Sequence, residues 1–310
     1  MSSLLRISNY KISMYKQCPR KYRYHYVDGL AKKFKKERPY FSLGESVHLA
    51  LKEFFLLERE ERTLDRLHAL LEEFWVHKGY SSGDEEREYK HRAMDMLSMF
   101  FRSNDINIKP IFLEHFFQVP MGDFILLGKI DRLDRKPDGS IELVDYKTGK
   151  QVMTQEEADQ DLQISLYYLA LLEGYQILPA LSSIYFLQEN RKIVTLRTKE
   201  YLDKVRQEVQ ELVKKIKNDR IYQPRRNPLC RFCDYAVICP AMNVSLSWEN
   251  LSRDEQFRAA LEEMERINEN LLSLYEAGQE ISSILDKEVL LPLIMKKFME
   301  LLKGAQGMLF

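Results

Sequence analysis

Cysteine is scarce in this chain: four in 310 residues, at positions 18, 230, 233 and 239. That excludes a disulfide-stapled scaffold and fits a reducing, cytoplasmic compartment. Long hydrophobic runs are also missing. The longest nearly apolar stretch, 164–172, falls far short of the about 20 residues that span a bilayer. No signal-peptide pattern is visible, because the residues after Met1 turn polar and basic at once. The expectation is a cytoplasmic protein with no membrane partner. Net charge is lacking too, with 47 Lys and Arg against 47 Asp and Glu. The balance excludes a uniformly basic nucleic-acid coat and an acidic disordered chain. It does not exclude a local basic surface, because steering depends on where charges sit. Internal repeats and low-complexity segments are absent. So is a G-x4-G-K-[ST] loop, so any duplex unwinding has to come from a partner.

What is present is 45% apolar residues, enough to bury the core of one large domain or two ordinary ones. The neutral total hides an uneven distribution. Residues 1–38 hold eleven Lys or Arg and two acids, a surplus of nine positive charges. Residues 246–310 hold seven against twelve, a surplus of five negative charges.

The periodicity predicts helices over 43–103, with segments at 64–77 and 84–102 around a loop at 79–84. Aromatic and β-branched residues then mark strands at 112–119, 124–133 and 141–146. The strong turn Lys136-Pro137-Asp138-Gly139-Ser140 separates the last two. This reads as a three-strand antiparallel meander. A helix over 156–174, strands at 181–188 and 192–198 and a helix at 199–217 follow. The expected class is α/β, a mixed central sheet flanked by helices, with a helical N-terminal insertion and a C-terminal helical appendage.

Asp131 and Asp145 fall on adjacent predicted strands, with the 136–140 turn midway between them. Lys147 lies two residues beyond Asp145 and so shares its face. Two close carboxylates repel, and a hard divalent cation, Mg2+ or Mn2+, relieves this with oxygen ligands. Such a cation polarises a phosphoryl oxygen and acidifies a bound water. Lys147 can orient that water and stabilise developing charge. The chemistry is phosphodiester hydrolysis. A lone D-x-K is a common strand end, so the surrounding residues decide.

Those residues, Gly128-Lys129-Ile130-Asp131-Arg132 and Glu142-Leu143-Val144-Asp145-Tyr146-Lys147-Thr148-Gly149, resemble two motifs of the PD-(D/E)xK nuclease superfamily, most closely its RecB-like branch. The resemblance implies a restriction-endonuclease-like core and a metal-dependent deoxyribonuclease. It implies that Asp131 and Asp145 bind the metal with the Tyr146 carbonyl, while Lys147 assists hydrolysis. His48, in Gly44-Glu45-Ser46-Val47-His48, matches the metal-binding histidine of that branch. Gln163 and Tyr167 match its Q-x3-Y motif, and a spacing of four puts both on one helix face. Glu114 on the first strand reads equally as an outer acid near the metal or as a solvated strand end. The other histidines (25, 68, 77, 91 and 115) read as ordinary structural residues.

Cys18 plus the trio Cys230-x2-Cys233-x5-Cys239 suits a tetrahedral zinc or a 4Fe–4S cluster. The one-plus-three pattern is similar to that of the iron–sulfur RecB-like nucleases, including CRISPR-adaptation exonucleases and the AddB-type nuclease domain. That resemblance implies a structural 4Fe–4S cluster.

The basic start interleaves Tyr10, Tyr15, Tyr22, Tyr24 and Tyr26 with its cations. It reads as a single-stranded DNA surface or as a basic helix whose tyrosines pack inward. The expected division is a nuclease over 1–243 and an acidic helical appendage over 244–310. In the appendage Met264, Ile267, Leu271, Leu274, Ile281 and Leu285 approach a heptad register. It either packs on the nuclease or serves self-association. The function expected is a DNA exonuclease acting on single strands or ends, in repair, recombination or CRISPR spacer processing. The rival is a catalytically weak iron–sulfur DNA-binding module. That module would be an accessory to a helicase–nuclease or an adaptation complex.

Overall fold

A three-residue strand, β1 (Leu5–Ile7), leads in the computed structural model into α1 (Asn9–Gln17), α2 (Pro19–Tyr22), α3 (Ala31–Phe34) and α4 (Pro39–Leu56). Then come α5 (Leu64–Glu73), α6 (Gly83–Ser103), β2 (Pro110–Pro120), β3 (Phe124–Arg135) and β4 (Ile141–Lys147). After these follow α7 (Gln155–Asp159), α8 (Leu162–Tyr175), β5 (Leu181–Phe186), β6 (Arg191–Thr195) and α9 (Lys199–Asn218). The structure describes residues 4–242 and residues 253, 254, 257, 258, 261 and 264. The chain divides into two units, 1–225 and 226–310.

All the strands among the described residues lie in the first unit and form one mixed sheet. The 136–140 turn forms as its residues require. Gly139 takes φ +83°, a conformation open to glycine at no steric cost. The Asp138 carboxylate accepts the Ser140 amide at 2.9 Å. Beyond the turn, β3 and β4 pair antiparallel from Arg135↔Ile141 to Arg132↔Val144. There the ladder stops. β2 runs antiparallel along nearly all of β3. The opposite edge of β3 is shared, with β1 parallel to 124–126 and β4 against 132–135. Between them, residues 127–131 face no strand among the described residues, so the sheet forks at Asp131. β5 then pairs parallel with β4, and β6 antiparallel with β5.

Both faces of the sheet are covered. Leu143, Ile184 and Phe186 pack with α1, α8 and α9, whereas Val144, Tyr146 and Tyr185 pack with α4, α5 and α6. Alternation within single strands sends neighbouring residues to opposite cores. α9 shows the matching helical spacing at Leu202, Val205, Val209, Val213 and Ile216.

Three details differ from the sequence reading. β1 is too short to carry a period, so it was not foreseen. The helix expected at 156–174 is broken into α7 and α8. Asp161 caps α8 by accepting the Ile164 amide at 2.8 Å. The buried Arg197 donates to Ala158 O at 2.8 Å and to Asp161 O at 3.1 Å, satisfying carbonyls at the break. The same inward turn of Arg197 ends β6 at Thr195, short of the expected 198.

In the second unit, Asn227 caps a short 3-10 turn, Pro228–Phe232, and another covers Ala236–Ile238. Apart from Met264, the heptad-like positions and the self-association surface they suggested lie outside the described residues.

Candidate active site

The fork gathers six side chains from five elements. β3 supplies Asp131, β4 supplies Asp145 and Lys147, α4 supplies His48, β2 supplies Glu114 and α8 supplies Gln163. His48 Nδ1 lies 3.0 Å from Glu114 Oε1 and 3.5 Å from Asp131 Oδ1. The other Asp131 oxygen accepts the Tyr146 amide at 2.8 Å. Lys147 Nζ lies 2.8 Å from Asp145 Oδ2 and donates to Gln163 Oε1 at 2.9 Å. Gln163 Nε2 completes the link, donating to Asp145 Oδ1 at 3.1 Å and to the Tyr167 hydroxyl at 2.7 Å.

Glu114, which the sequence leaves as either an outer acid or a solvated strand end, is half-buried, with its side chain only 7% exposed. The flanking pairs Leu113↔Arg132 and His115↔Ile130 place it directly across from Asp131. Its φ of +45° is left-handed, a strain of about 1–3 kcal/mol for a residue with a Cβ. Contacts with His48 and with the Lys129 ammonium hold it there. The motif Gly128-Lys129-Ile130-Asp131-Arg132 assigns Lys129 no role. Its position two residues before Asp131, on the same strand face, was the available signal.

The electrostatics follow from burial and pairing. Burial pushes His48 down, but the Asp131 and Glu114 carboxylates outweigh it and raise its pKa to about 10. Ligation there requires loss of that proton. Burial lifts Asp131, yet His48 and the Tyr146 amide bring it below its ordinary value. Burial raises Asp145 to about 6, with Lys147 opposing and the Asp131 charge adding to the rise. Burial lowers Lys147, but Asp145 more than compensates, so Lys147 stays an ammonium.

His48, Glu114 and Asp131 each offer one ligand atom, all within 4.8 Å of one another. One imidazole nitrogen with two carboxylate oxygens is a donor set that fits a divalent cation. Asp145 adjoins that group, bonded to Lys147 and Gln163. The Tyr146 side chain serves the core: its ring meets His48 edge-on at 5.8 Å and lies 5.6 Å from the buried Arg132 guanidinium.

Among the described residues this is the one such ligand group. The iron–sulfur expectation at Cys18, Cys230, Cys233 and Cys239 draws no support from it. All four cysteines are half-buried. Cys18 Sγ accepts the Arg225 amide at 3.4 Å, and Cys230 Sγ accepts the Asn227 amide at 3.3 Å.

The tyrosine-rich start resolves mostly as packing. Tyr15, Tyr22 and Tyr24 are buried. The Tyr15 hydroxyl donates to Asp219 at 2.6 Å, and Tyr22 stacks on Tyr222. Tyr10 is exposed. Of the remaining histidines, His68 pairs with Ser98, His77 with Glu86 and His115 with Tyr175. None of the described helices is long and apolar enough to cross a membrane.

No curated protein matches the chain. Among solved structures, the crystal structure of SSO0001 is similar over 78% of this chain and 89% of its own, at 13% identity and a TM-score of 0.36. A likeness that low carries no argument. The sequence profile of the PD-(D/E)XK nuclease superfamily, however, matches residues 6–240. That span takes in every element that reaches the fork, and the chain belongs to the PD-(D/E)XK nuclease superfamily.

Proposed function

We propose that this nuclease is a Mg2+- or Mn2+-dependent deoxyribonuclease of the RecB-like type, acting as an exonuclease on single strands or DNA ends. The observation that carries the reading is the shared fork. One imidazole and two carboxylates meet there, and an ammonium fixed by Asp145 and Gln163 stands on the adjoining strand. His48, Asp131 and Asp145 would hold the cation with the Tyr146 carbonyl, and Glu114 offers a further carboxylate oxygen beside His48. When bound, the cation supplies Lewis-acid polarisation of the phosphoryl oxygen and a more acidic water.

The protein's own groups do the rest. Lys147 is partly exposed, its side chain at 29%, so a phosphate can reach it. As a permanent ammonium it acts on charge growing on the phosphoryl oxygens rather than as a base. Gln163, held by Tyr167, restricts the lysine to one direction, which limits the reorganisation needed on reaction. Asp131 spends one oxygen on the Tyr146 amide and keeps the other toward His48.

The test is digestion of end-labelled single- and double-stranded DNA in Mg2+ and Mn2+. Lys147→Ala is expected to lose about 100-fold or more in cleavage while keeping DNA affinity. An unchanged rate would sink the reading. DNA binding without cleavage in either metal would support the accessory-module alternative, with a helicase or adaptation complex as partner. The four-cysteine 4Fe–4S cluster belongs to this reading only through the resemblance of its one-plus-three cysteine pattern to the iron–sulfur RecB-like nucleases. Anaerobic purification followed by an absorption spectrum tests it, and a colourless protein holding one zinc would remove it.

A further inference from the structure

A cleft of about 340 Å3 opens beside the fork, on the α8 side. It shares Gln163 and Tyr167 with the site just described, so it lies one hydrogen bond from Lys147. Its walls are apolar: Phe117, Leu127 and Leu166. α1 contributes Asn9, Tyr10 and Ser13, with Ser13 four residues after Asn9 and three after Tyr10 and so neighbouring both on the helix surface. Among the described residues that line it, none is charged.

One of these walls is built by a close approach. Phe117 lies directly across from Gly128 in the β2–β3 ladder. A Cβ on Gly128 would come within 2.3 Å of the Phe117 ring. That ring meets Tyr167 edge-on at 6.0 Å. The glycine therefore lets the Phe117 ring lie close against the β3 backbone along that wall.

The cleft also borders the start of the unpaired edge of β3, at Leu127 and Gly128. A strand edge offers backbone amides and carbonyls as well as side chains. Apolar walls, an exposed tyrosine ring, an amide, a hydroxyl and a strand edge suit a flat, neutral, hydrogen-bonding heterocycle. They do not suit a phosphate, which needs cations. The volume sits at the lower end of the about 300–1,000 Å3 of ligand pockets, which suits one nucleoside.

We propose that the cleft between α1, α8 and the free edge of β3 takes one unstacked nucleobase of the strand being cut, next to the scissile phosphate. This rests on the nuclease reading and deepens it. A base held in duplex must first be unpaired and unstacked, which costs a few kcal/mol. The pocket therefore selects single strands and frayed ends.

The test is fluorescence anisotropy of the full chain, without added metal, on a short single-stranded oligonucleotide and on its abasic analogue. The wild type is expected to bind the abasic strand about 10-fold more weakly, the loss typical of one missing stacking contact. Ser13→Phe fills the cleft from an exposed position, so it should weaken binding of the intact strand by a similar factor. It should leave the abasic strand unchanged. Tyr10→Ala, also at an exposed position, should do the same if Ser13→Phe fails to fold. Equal wild-type affinity for the two strands overturns the proposal, as does an intact strand indifferent to both variants. Cleavage in Mn2+ is measured in parallel. Equal cutting of both strands would leave the nuclease reading standing and remove the pocket. Base-dependent binding without any cutting would do the reverse.

Discussion

The backbone amide of Tyr146 donates a 2.8 Å hydrogen bond to Oδ2 of Asp131. Continued two residues further, the β3–β4 register would pair Tyr146 with Ile130. The strands part instead, and a side chain takes over the amide that the ladder releases. A buried amide without an acceptor is costly, so Asp131 closes the sheet at the fork while serving the site.

This dual role separates two substitutions. Asp131→Asn keeps an oxygen for the Tyr146 amide, so unfolding stability should fall by less than about 1 kcal/mol. Asp131→Ala strands the amide and should cost about 1–3 kcal/mol. Both should lose cleavage. Urea denaturation of the pair, set beside digestion rates, checks this. Equal stability losses would show that the bond contributes nothing to folding.

Metal binding should register in stability as well as activity. A ligand present at about 100 times its Kd stabilises the folded state by about 2.7 kcal/mol. Mn2+ at that excess should raise the urea midpoint of the wild type, and EDTA should reverse it. In His48→Ala or Glu114→Ala most of the shift should vanish. A full Mn2+ shift in both variants would place the cation elsewhere.

Glu142 should make stability depend on acid. Its carboxylate is buried, yet the Lys136 and Lys192 ammoniums and the Ser183 hydroxyl at 2.5 Å surround it. Burial raises its pKa, and these partners more than reverse that, bringing it to about 2 from an ordinary 4.5. The folded value lies below the unfolded one. The stabilisation is therefore complete above about pH 4.5 and is lost as pH falls toward 2. Because both lysines are partly exposed, about 2 kcal/mol is the expected size. Urea midpoints at pH 6 and pH 3 should differ less in Glu142→Gln than in the wild type.

Gly128→Ala should cost about 1–3 kcal/mol by overpacking, because its Cβ would meet the Phe117 ring. Combining it with Phe117→Leu, which withdraws the ring, should be less than additive. A strictly additive pair of thermal shifts would show that the two residues do not touch.

Much of the fold was open to reading without coordinates. The alternation of β3 and β4, the turn at 136–140 and the spacing of Asp145 and Lys147 are local properties. They place these residues on shared faces whatever the rest of the chain does. Gln163 and Tyr167 are one helical turn apart for the same reason. The sequence by itself therefore determined the mixed α/β class, the D…D-x-K pattern and which residues could share a face. It could not decide who meets whom across the fork. His48 and Glu114 are 66 residues apart, and their contact depends on α4 packing onto one face of the sheet while β2 bends at a left-handed residue. It could not tell that Asp145 would be engaged by Lys147 and Gln163 while Glu114 joined His48 and Asp131. Nor could it separate the buried Tyr15 and Tyr22 from the exposed Tyr10. Those outcomes belong to tertiary structure, because burial and long-range pairing have no period in the sequence: they are settled only when distant elements compete for the same core.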